Sequence, residues 1–515
     1  MSAEVLQSTF NTPTINIDSL EMIAVTWSQM LNPLKSSLSS VVRLSFLAIL
    51  ILTSISLTVG YQYFGDYNHN HRANGLDSKY PEVGLPSSKE PIINDPNLKT
   101  QVIFRGLKYP TSMAFLGPND ILVTEKDTGI LRRIVNGTIL PRPLLDVNVS
   151  TFAHRGMLGN AISHYHLPTS DLANIQRNNG IRTYVFLYYT EAPSHDGDDV
   201  TDGKQPLGNR LYRYELIENK LVSPKLMLDL PATPGGIGNG GKVIIGPDGN
   251  VYVTVGDVGN AHNTKAQNVQ NGPDPDGTGG ILRMNQDGNL PSTSGILGNK
   301  FPLNLYYSYG MWNSFGIDFD PISRSLWDTE NGLVFGDEIN IVEPGFNSGY
   351  NKIDGIWLRG YNIDQTEKHV ALLHPQDLVD FGGRGKYHLP QFTWFKSIAP
   401  TGIAFFNSTK MGSQYEDDLF VGDNINGNIY HFKLNLHRTE LLLPNGPLAD
   451  KVANTSDTLN GIIFGKGFGG ITDVKVGPND GYLYVLTFNK TQGTIYRVVP
   501  SVITTTEKGP LQKVS

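Results

Sequence analysis

The sequence predicts an all-β protein, a six-bladed β-propeller, preceded by one N-terminal transmembrane helix. Three observations support this prediction: a turn-and-strand unit that recurs along the chain, an unusual richness in turn-forming residues, and one uncharged apolar stretch near the N-terminus. The 515 residues include 55 glycines and 31 prolines, while only 17% are charged. This balance favours many turns and short strands over long helices.

The recurring unit is a turn rich in Gly, Pro, Asp or Asn, followed by a short apolar strand and then a partner strand. Copies begin at residues 117, 246, 320, 416 and 477. A further module surrounds YVFLYYT at residue 184. Six modules in about 400 residues predict four-stranded propeller blades with long insertions, and an array of β-sandwiches is the alternative.

The apolar stretch covers residues 44–60, and its extension to Tyr63 reaches about twenty residues, enough to span a bilayer. Lys35 and Arg43 precede it, which favours a signal anchor with the N-terminus inside. A buried helix and a cleaved signal peptide are the alternatives. The expected order is a cytoplasmic segment, a membrane anchor, a polar linker, an extracytoplasmic propeller at the cell surface and a tail: residues 1–40, 41–63, 64–98, 99–500 and 501–515.

Composition narrows the function. The formal net charge of −7 gives no electrostatic reason to expect nucleic acid as a partner. Cysteine is absent from the sequence, which excludes disulfides, thiolate metal sites and a cysteine nucleophile.

Several segments, taken in order, resemble one family. They are RGMLGNAISH from residue 155, GGKVIIGPDGNVYVTVGD from residue 240, YSYGMWNSFGIDFDP from residue 307 and GDEINIVEPGFNSGYN from residue 336. Together they resemble the PQQ-dependent soluble sugar dehydrogenases of the glucose/sorbosone dehydrogenase type, over about residues 100–500. The resemblance implies a six-bladed propeller that binds PQQ and calcium on its top face and oxidises an aldose at its first carbon.

The resemblance also implies a histidine base, and Gly238 stands at its position in the H-x-G-G-[RK] segment. Such a base takes the hydroxyl proton of the sugar as hydride leaves for the quinone. Asp257, which would orient the base, is retained. PQQ carries three carboxylates and needs cations or many hydrogen-bond donors in a partly dry pocket. The implied cationic positions are occupied here by uncharged residues: Trp312, Ile425, Gly470 and Thr472.

Other positions of the implied site keep suitable residues. The resemblance implies cofactor contacts at His154, Asn239, Asn313 and Asn331. It implies calcium at the carbonyls of Gly332 and Leu333, and a second, structural calcium at Glu338, although Glu338 could instead form a surface ion pair with a lysine. Trp312 could be a stacking platform for a sugar or could pack over the space that a lost cofactor leaves.

The sequence is compatible with three functions. We favour a non-enzymatic propeller that binds a sugar, a glycan or an envelope protein on its top face, because the usual base and cations are missing. The second is an aldose-oxidising enzyme that uses PQQ and calcium in a modified site, with Arg155, Lys242 and Lys466 as replacement cations. The third is a hydrolase of another propeller type, such as a calcium lactonase.

Overall fold

A computed structural model describes residues 90–166, 181–194, 205–233, 235–259, 264–358, 378–489 and 491–501. No α-helix occurs in these ranges, and the helical elements there are four 3-10 helices: Lys265–Gln267, Leu303–Leu305, Ser413–Tyr415 and Ser456–Gly461. The strands in the same ranges are, in chain order, β1 (Ile92–Ile93), β2 (Leu98–Leu107), β3 (Pro110–Gly117), β4 (Asp120–Glu125), β5 (Ile130–Val135), β6 (Thr138–Ile139), β7 (Leu145–Asp146), β8 (Met157–His166), β9 (Ile181–Glu191), β10 (Gly208–Ile217), β11 (Lys220–Leu230), β12 (Val243–Ile245), β13 (Val251–Val255), β14 (Gly280–Met284), β15 (Tyr306–Tyr309), β16 (Asn313–Phe319), β17 (Leu326–Asn331), β18 (Phe335–Val342), β19 (Phe346–Asn347), β20 (Ile353–Asp354), β21 (Trp357–Leu358), β22 (Lys386–Tyr387), β23 (Phe392–Lys396), β24 (Pro400–Phe406), β25 (Asp418–Asp423), β26 (Ile429–Leu434), β27 (Leu441–Leu442), β28 (Val452–Ala453), β29 (Ile463–Lys466), β30 (Gly470–Val476), β31 (Leu483–Phe488) and β32 (Gly493–Pro500).

Within the described residues, these strands form a hairpin of β20 and β21 and six larger sheets. The larger sheets have the strand orders β3-β4-β5-β6 with β7 beside β5, β8-β9-β10-β11, β12-β13-β14-β15-β19-β22, β16-β17-β18-β23-β28, β24-β25-β26-β29-β1 with β27 beside β26, and β30-β31-β32-β2. Neighbouring strands are antiparallel except where the short strands β19, β22 and β28 add in parallel. The last sheet joins the two ends of the fold, because β2 pairs with β32.

The hairpin between β12 and β13 shows why the recurring unit folds as it does. Gly249 has a φ of +76°, a conformation that favours glycine, and the Asp248 carboxylate accepts a hydrogen bond from the Asn250 amide at 3.1 Å. All five residues of β13 are buried, with Val253 in one hydrophobic core and Tyr252 in another. The sheet is therefore covered on both faces, which explains why its strands are continuous apolar runs.

Hydrogen bonds link the first residues of the innermost strands β3, β8, β12, β16, β24 and β30. The Thr111 hydroxyl donates to the Met157 carbonyl at 2.8 Å, and the Thr401 hydroxyl donates to the Ile471 carbonyl at 2.7 Å. The Met113 amide donates to the Asp473 carboxylate at 2.9 Å. These strands therefore begin at one end of the molecule, which we call the upper face.

Asparagine side chains complete the links at the upper face. The Gly240 amide donates to Asn313 Oδ1 at 2.9 Å. The side-chain amide of Asn331 donates to the carbonyls of Asn313 and Pro400, at 3.1 Å each. The loops that precede the innermost strands thus converge, and residues far apart in sequence meet there.

The predicted all-β propeller arrangement is confirmed, with two corrections of detail. Only two of the six larger sheets have the predicted four strands, because short strands from the long insertions add to the others. The predicted linker ends earlier than expected, since β1 lies inside residues 64–98 and pairs with β29. In the part of the chain that the structure describes, no helix is long and apolar enough to cross a membrane. The predicted anchor, residues 41–63, lies outside that part.

Candidate functional site

Gly238 lies at the upper face, in the loop before β12, and its backbone has a φ of +68°. A Cβ atom built on Gly238 would lie 3.2 Å from Asp257 Oδ1 and 3.5 Å from the Trp312 carbonyl oxygen. Asp257 is buried, and its Oδ1 also accepts a hydrogen bond from the Gly259 amide at 3.1 Å. A side chain at position 238 would therefore begin beside the Asp257 carboxylate, the arrangement expected of a base and the acid that orients it.

The imidazole of His154 lies against this glycine, because the Gly238 amide donates to His154 Nδ1 at 3.3 Å. His154 as a whole residue is exposed, but many protein atoms surround its imidazole ring. Desolvation by that crowding and the nearby positive charge of Lys126 both lower the pKa of His154. The imidazole is consequently neutral at pH 7. Its position agrees with the implied polar contact on the upper face.

Two basic residues near the site are committed to other bonds. Arg155 is fully buried; its Nε donates to the Ala232 carbonyl at 3.1 Å and its Nη2 to the Gly235 carbonyl at 2.9 Å. Lys126 is also buried and forms an ion pair with Asp127 at 2.9 Å. Arg155 therefore braces the loop before β12 and is not a free cation for an anionic ligand.

Lys242 and Lys466 are the other two suggested replacement cations, and neither is placed to bind an anionic ligand beside Gly238. Lys242 Nζ forms a buried ion pair with Asp473, which links the loop before β12 to β30. Burial lowers the pKa of Lys242 to about 8, against the opposing effect of Asp473. Lys466 is exposed on β29, opposite Ile92 of β1.

The residues at the implied cationic positions pack as uncharged structural groups. Trp312 is only 5% exposed, its ring lies 5.4 Å from that of Tyr350, and its amide donates to Glu330 Oε1 at 2.6 Å. Packing thus describes Trp312 better than a stacking platform for a sugar does. Thr472 is buried, and the Ile425 amide donates to the Ile398 carbonyl at 3.2 Å.

The three retained asparagines use their amides within the protein. Asn239 donates to the Gly236 carbonyl at 2.8 Å and accepts from the Asn209 side chain at 2.9 Å. Asn313 and Asn331 link the starts of the innermost strands, as described above. Each of these side chains therefore has a structural role at the upper face.

Glu338 is 4% exposed and lies directly opposite Glu330 in the pairing of β17 with β18. The expected alternative of a surface ion pair with a lysine is therefore wrong for Glu338, because the residue is buried. Burial raises the pKa of Glu338 to about 8, and burial together with Glu338 and Asp328 raises the pKa of Glu330 well above its usual range. Gly332 and Leu333 lie in the hairpin between the same strands, where the Gly332 amide donates to Asp337 Oδ1 at 2.8 Å.

Phe152 is the residue at the upper face that sequence reasoning missed. It is 43% exposed and precedes His154 by two residues. Its ring lies against Gly236, since a Cβ there would be 2.3 Å from Phe152 Cδ1. No motif marks this phenylalanine, and only the contact between two loops shows that its ring remains at the surface.

Two cavities in the described part of the molecule, of about 330 and 420 Å³, lie away from Gly238. The first is lined by Asp95, Tyr415 and His431, and the second by His164, Asp248 and Asp287 among others. We place the candidate site at the upper face because the loops of successive sheets converge there. Binding sites in this architecture are formed by such converging loops.

The fold and the converging loops define the class of β-propellers with a site at the end where the innermost strands begin. The model of the Glucose / Sorbosone dehydrogenase family matches residues 107–497, and the chain belongs to that family. The chain is 26% identical to aldose sugar dehydrogenase YliI of Escherichia coli over 405 residues, which cover 78% of this chain and 93% of that protein.

Solved structures share the fold. The apo-form of the soluble aldose sugar dehydrogenase from Escherichia coli aligns with a TM-score of 0.55 and 24% identity, covering 78% of this chain and all of that one. The PQQ-bound form of an aldose sugar dehydrogenase from Streptomyces coelicolor aligns with a TM-score of 0.51 and 22% identity, over 81% of this chain and all of that one.

The residues at the upper face do not fit PQQ. A tri-anion needs cations or several free donors, and the basic side chains nearby, Lys126, Arg155 and Lys242, bond to protein groups instead. The four implied cationic positions carry Trp, Ile, Gly and Thr. In the described ranges, no group of three or more His, Asp or Glu side chains is placed to hold a metal ion.

Proposed function

We propose that this protein is a six-bladed propeller that binds a carbohydrate on its upper face and is not a dehydrogenase of the usual PQQ-dependent type. The observation that carries the proposal is Gly238. Its missing side chain would begin beside Asp257, so the orienting acid is kept without a base to orient. The six larger sheets support the number of blades.

The site chemistry supports binding over hydride transfer. Loss of a positioned base lowers rates by roughly 10²- to 10⁴-fold. Each lost charge-assisted hydrogen bond removes about 1.5–3 kcal/mol, so four missing cations would weaken PQQ binding by many orders of magnitude. A sugar needs hydroxyl partners and an apolar surface, both of which uncharged groups supply.

The first experiment titrates the purified full-length protein with PQQ and follows tryptophan fluorescence. The buffer contains about 3 mM calcium chloride, which exceeds the Kd of about 0.1–1 mM that is typical of extracellular calcium-binding modules. We expect no saturable quenching by PQQ, whereas the aldose sugar dehydrogenase from Streptomyces coelicolor, which has been solved in a PQQ-bound form, serves as the positive control. Reduction of an electron-acceptor dye with glucose, galactose, xylose or maltose is measured in parallel. Tight PQQ binding or sugar-dependent reduction would support the second candidate, an enzyme that oxidises an aldose at its first carbon with PQQ and calcium in a modified site.

Calcium is the second part of the proposal, at the Gly332 and Leu333 carbonyls or at Glu338. The buried carboxylates of Glu330 and Glu338 face each other, and a divalent cation would offset their mutual repulsion. We expect calcium to raise the unfolding temperature at pH 8 relative to EDTA. Glu338→Gln should abolish that increase if calcium lies at Glu338, and should leave it unchanged if calcium lies at the Gly332 and Leu333 carbonyls. Equal unfolding temperatures with calcium and with EDTA would remove calcium from the proposal.

The third part is location: residues 41–63 anchor the protein in a membrane and the propeller lies outside the cytoplasm, where a glycan or an envelope protein is accessible. The supporting feature is the uncharged apolar stretch of the sequence. Carbonate extraction of membranes should leave the full-length chain in the pellet and release a variant that lacks residues 1–63. Protease added outside intact cells should cleave the propeller, and full protection of it would contradict this orientation.

A further inference from the structure

We infer that Phe152 and His154 form the carbohydrate-contacting surface of the upper face, with the Phe152 ring stacking on a sugar ring and His154 bonding one of its hydroxyls. This inference rests on the proposed function, since it assumes that the upper face binds carbohydrate. It assigns the contact to the loop before β8 and not to Trp312.

Phe152 has the exposure and the support that a stacking platform needs. The residue is 43% exposed, and its ring lies against Gly236, where a Cβ atom would be 2.3 Å from Phe152 Cδ1. The guanidinium of Arg155 lies 5.8 Å from the ring centroid. A ring that is held in place before binding loses little conformational entropy when a ligand stacks on it.

The loop that carries Phe152 is bonded to the glycine-rich loop before β12. The His154 amide donates to the Gly236 carbonyl at 2.9 Å, and the Arg155 amide closes a turn on the Phe152 carbonyl at 3.0 Å. The buried Arg155 side chain bonds to the carbonyls of Ala232 and Gly235. Two loops from neighbouring sheets therefore form one braced surface.

The orientation of His154 leaves a polar group for a ligand. Its Nδ1 accepts from the Gly238 amide, so in the neutral ring the proton is on Nε2. His154 is exposed, and an Nε2–H group can donate to a sugar hydroxyl. A pyranose presents apolar C–H groups on its faces and hydroxyls at its edge, which matches a phenyl ring beside an imidazole.

The glycines of this segment acquire a function in this arrangement. Gly236 leaves the space that the Phe152 ring fills, and Gly238 provides the amide that orients His154. Trp312 does not offer the same surface, because it is 5% exposed and packs on Tyr350.

The test is calorimetric titration of the full-length protein with four probes: D-glucose, D-xylose, maltotetraose and cellotetraose. For whichever probe binds, Phe152→Ala should raise Kd by about tenfold or more, as loss of a central aromatic anchor does. Phe152→Trp should keep the affinity. Phe301→Ala is the matched control, because Phe301 is 70% exposed outside these two loops and its loss should leave Kd unchanged.

Two further variants separate a contact from a folding defect. Gly236→Ala should displace the Phe152 ring and weaken binding as Phe152→Ala does, while thermal unfolding confirms that the variant is folded. His154→Ala should raise Kd by several fold, and His154→Gln, which keeps a donor, should recover part of the affinity.

The outcomes distinguish this inference from the proposed function. If the protein binds a probe and Phe152→Ala binds it equally well, the inference is overturned while carbohydrate binding stands. If none of the four carbohydrates binds, the proposed carbohydrate function fails and this inference with it. In that case, cross-linking of a protein partner through position 152 would assign the exposed ring to an envelope protein.

Discussion

Trp312 and Asn313 are neighbours at the upper face, and the contrast between them is instructive. The side-chain oxygen of Asn313 accepts a hydrogen bond from the Gly240 amide, and its carbonyl accepts one from the Asn331 side chain, so Asn313 joins β16 to the loop before β12 and to β17. Trp312 stands where the family resemblance implies an arginine for the cofactor. At these two positions the chain therefore has one polar side chain that bonds to its own backbone and one aromatic side chain that packs on Tyr350.

The difference separates two kinds of residue in one small region. A side chain that bonds to the backbone contributes to stability, so its loss affects folding whatever the protein binds. A side chain directed at a cofactor contributes to activity alone, and often costs stability. Four substitutions test this separation, from the largest expected effect to the smallest.

Lys242→Met should have the largest effect, because it leaves the Asp473 carboxylate buried without its ion-pair partner. Breaking such a buried pair costs about 3–5 kcal/mol. Urea unfolding should show this loss in the free energy of unfolding. Lys466→Met removes an exposed lysine and is the control. If both variants lose the same free energy of unfolding, the buried ion pair does not stabilise the propeller.

Asp328→Asn tests the opposite case, a buried charge that costs stability. Burial raises the pKa of Asp328 from 3.8 to about 7, so the native state holds a proton that the unfolded chain has lost. The contribution of that proton to the free energy of unfolding is fully present below pH 4, and it is lost as the pH rises to about 7. We therefore expect Asp328→Asn to be more stable than the natural protein by about 2–4 kcal/mol at pH 8 and nearly equal to it at pH 4. A stability difference that does not change with pH would contradict this account.

Asn313→Ala should lower the free energy of unfolding by about 1–3 kcal/mol, because it leaves the buried Gly240 amide without its acceptor. The exposed Asn454 offers the control, Asn454→Ala, which should be neutral. If Asn313→Ala is as stable as that control, Asn313 belongs with the ligand-directed residues and the comparison with Trp312 fails.

Gly238→His should have the smallest effect on stability, a loss of about 1 kcal/mol from placing a side chain at positive φ. It places an imidazole beside Asp257. We expect no PQQ-dependent dye reduction with glucose, because the four implied cationic positions remain uncharged. Activity in this single variant would show that only the base had been missing.

Much of the fold could be predicted from the sequence because its signals are local. The turn glycines and the apolar runs indicate the hairpins. The order of the family segments indicates which positions of the family motifs Gly238 and Trp312 occupy. The destinations of Arg155 and Lys242 could not be predicted, since a long basic side chain reaches either a ligand or a distant carbonyl or carboxylate. The exposure of Phe152 depends on a contact between loops about 80 residues apart in sequence, which no local pattern records.

The pairing of β2 with β32 has a consequence for how the molecule is made. Leu98 lies opposite Pro500, so an early strand stays without its partner until about 400 further residues have been synthesised. During synthesis, the nascent chain therefore carries an unpaired strand edge, which invites association with other chains. Chaperones that shield such edges should matter most for this protein before its final strand emerges from the ribosome.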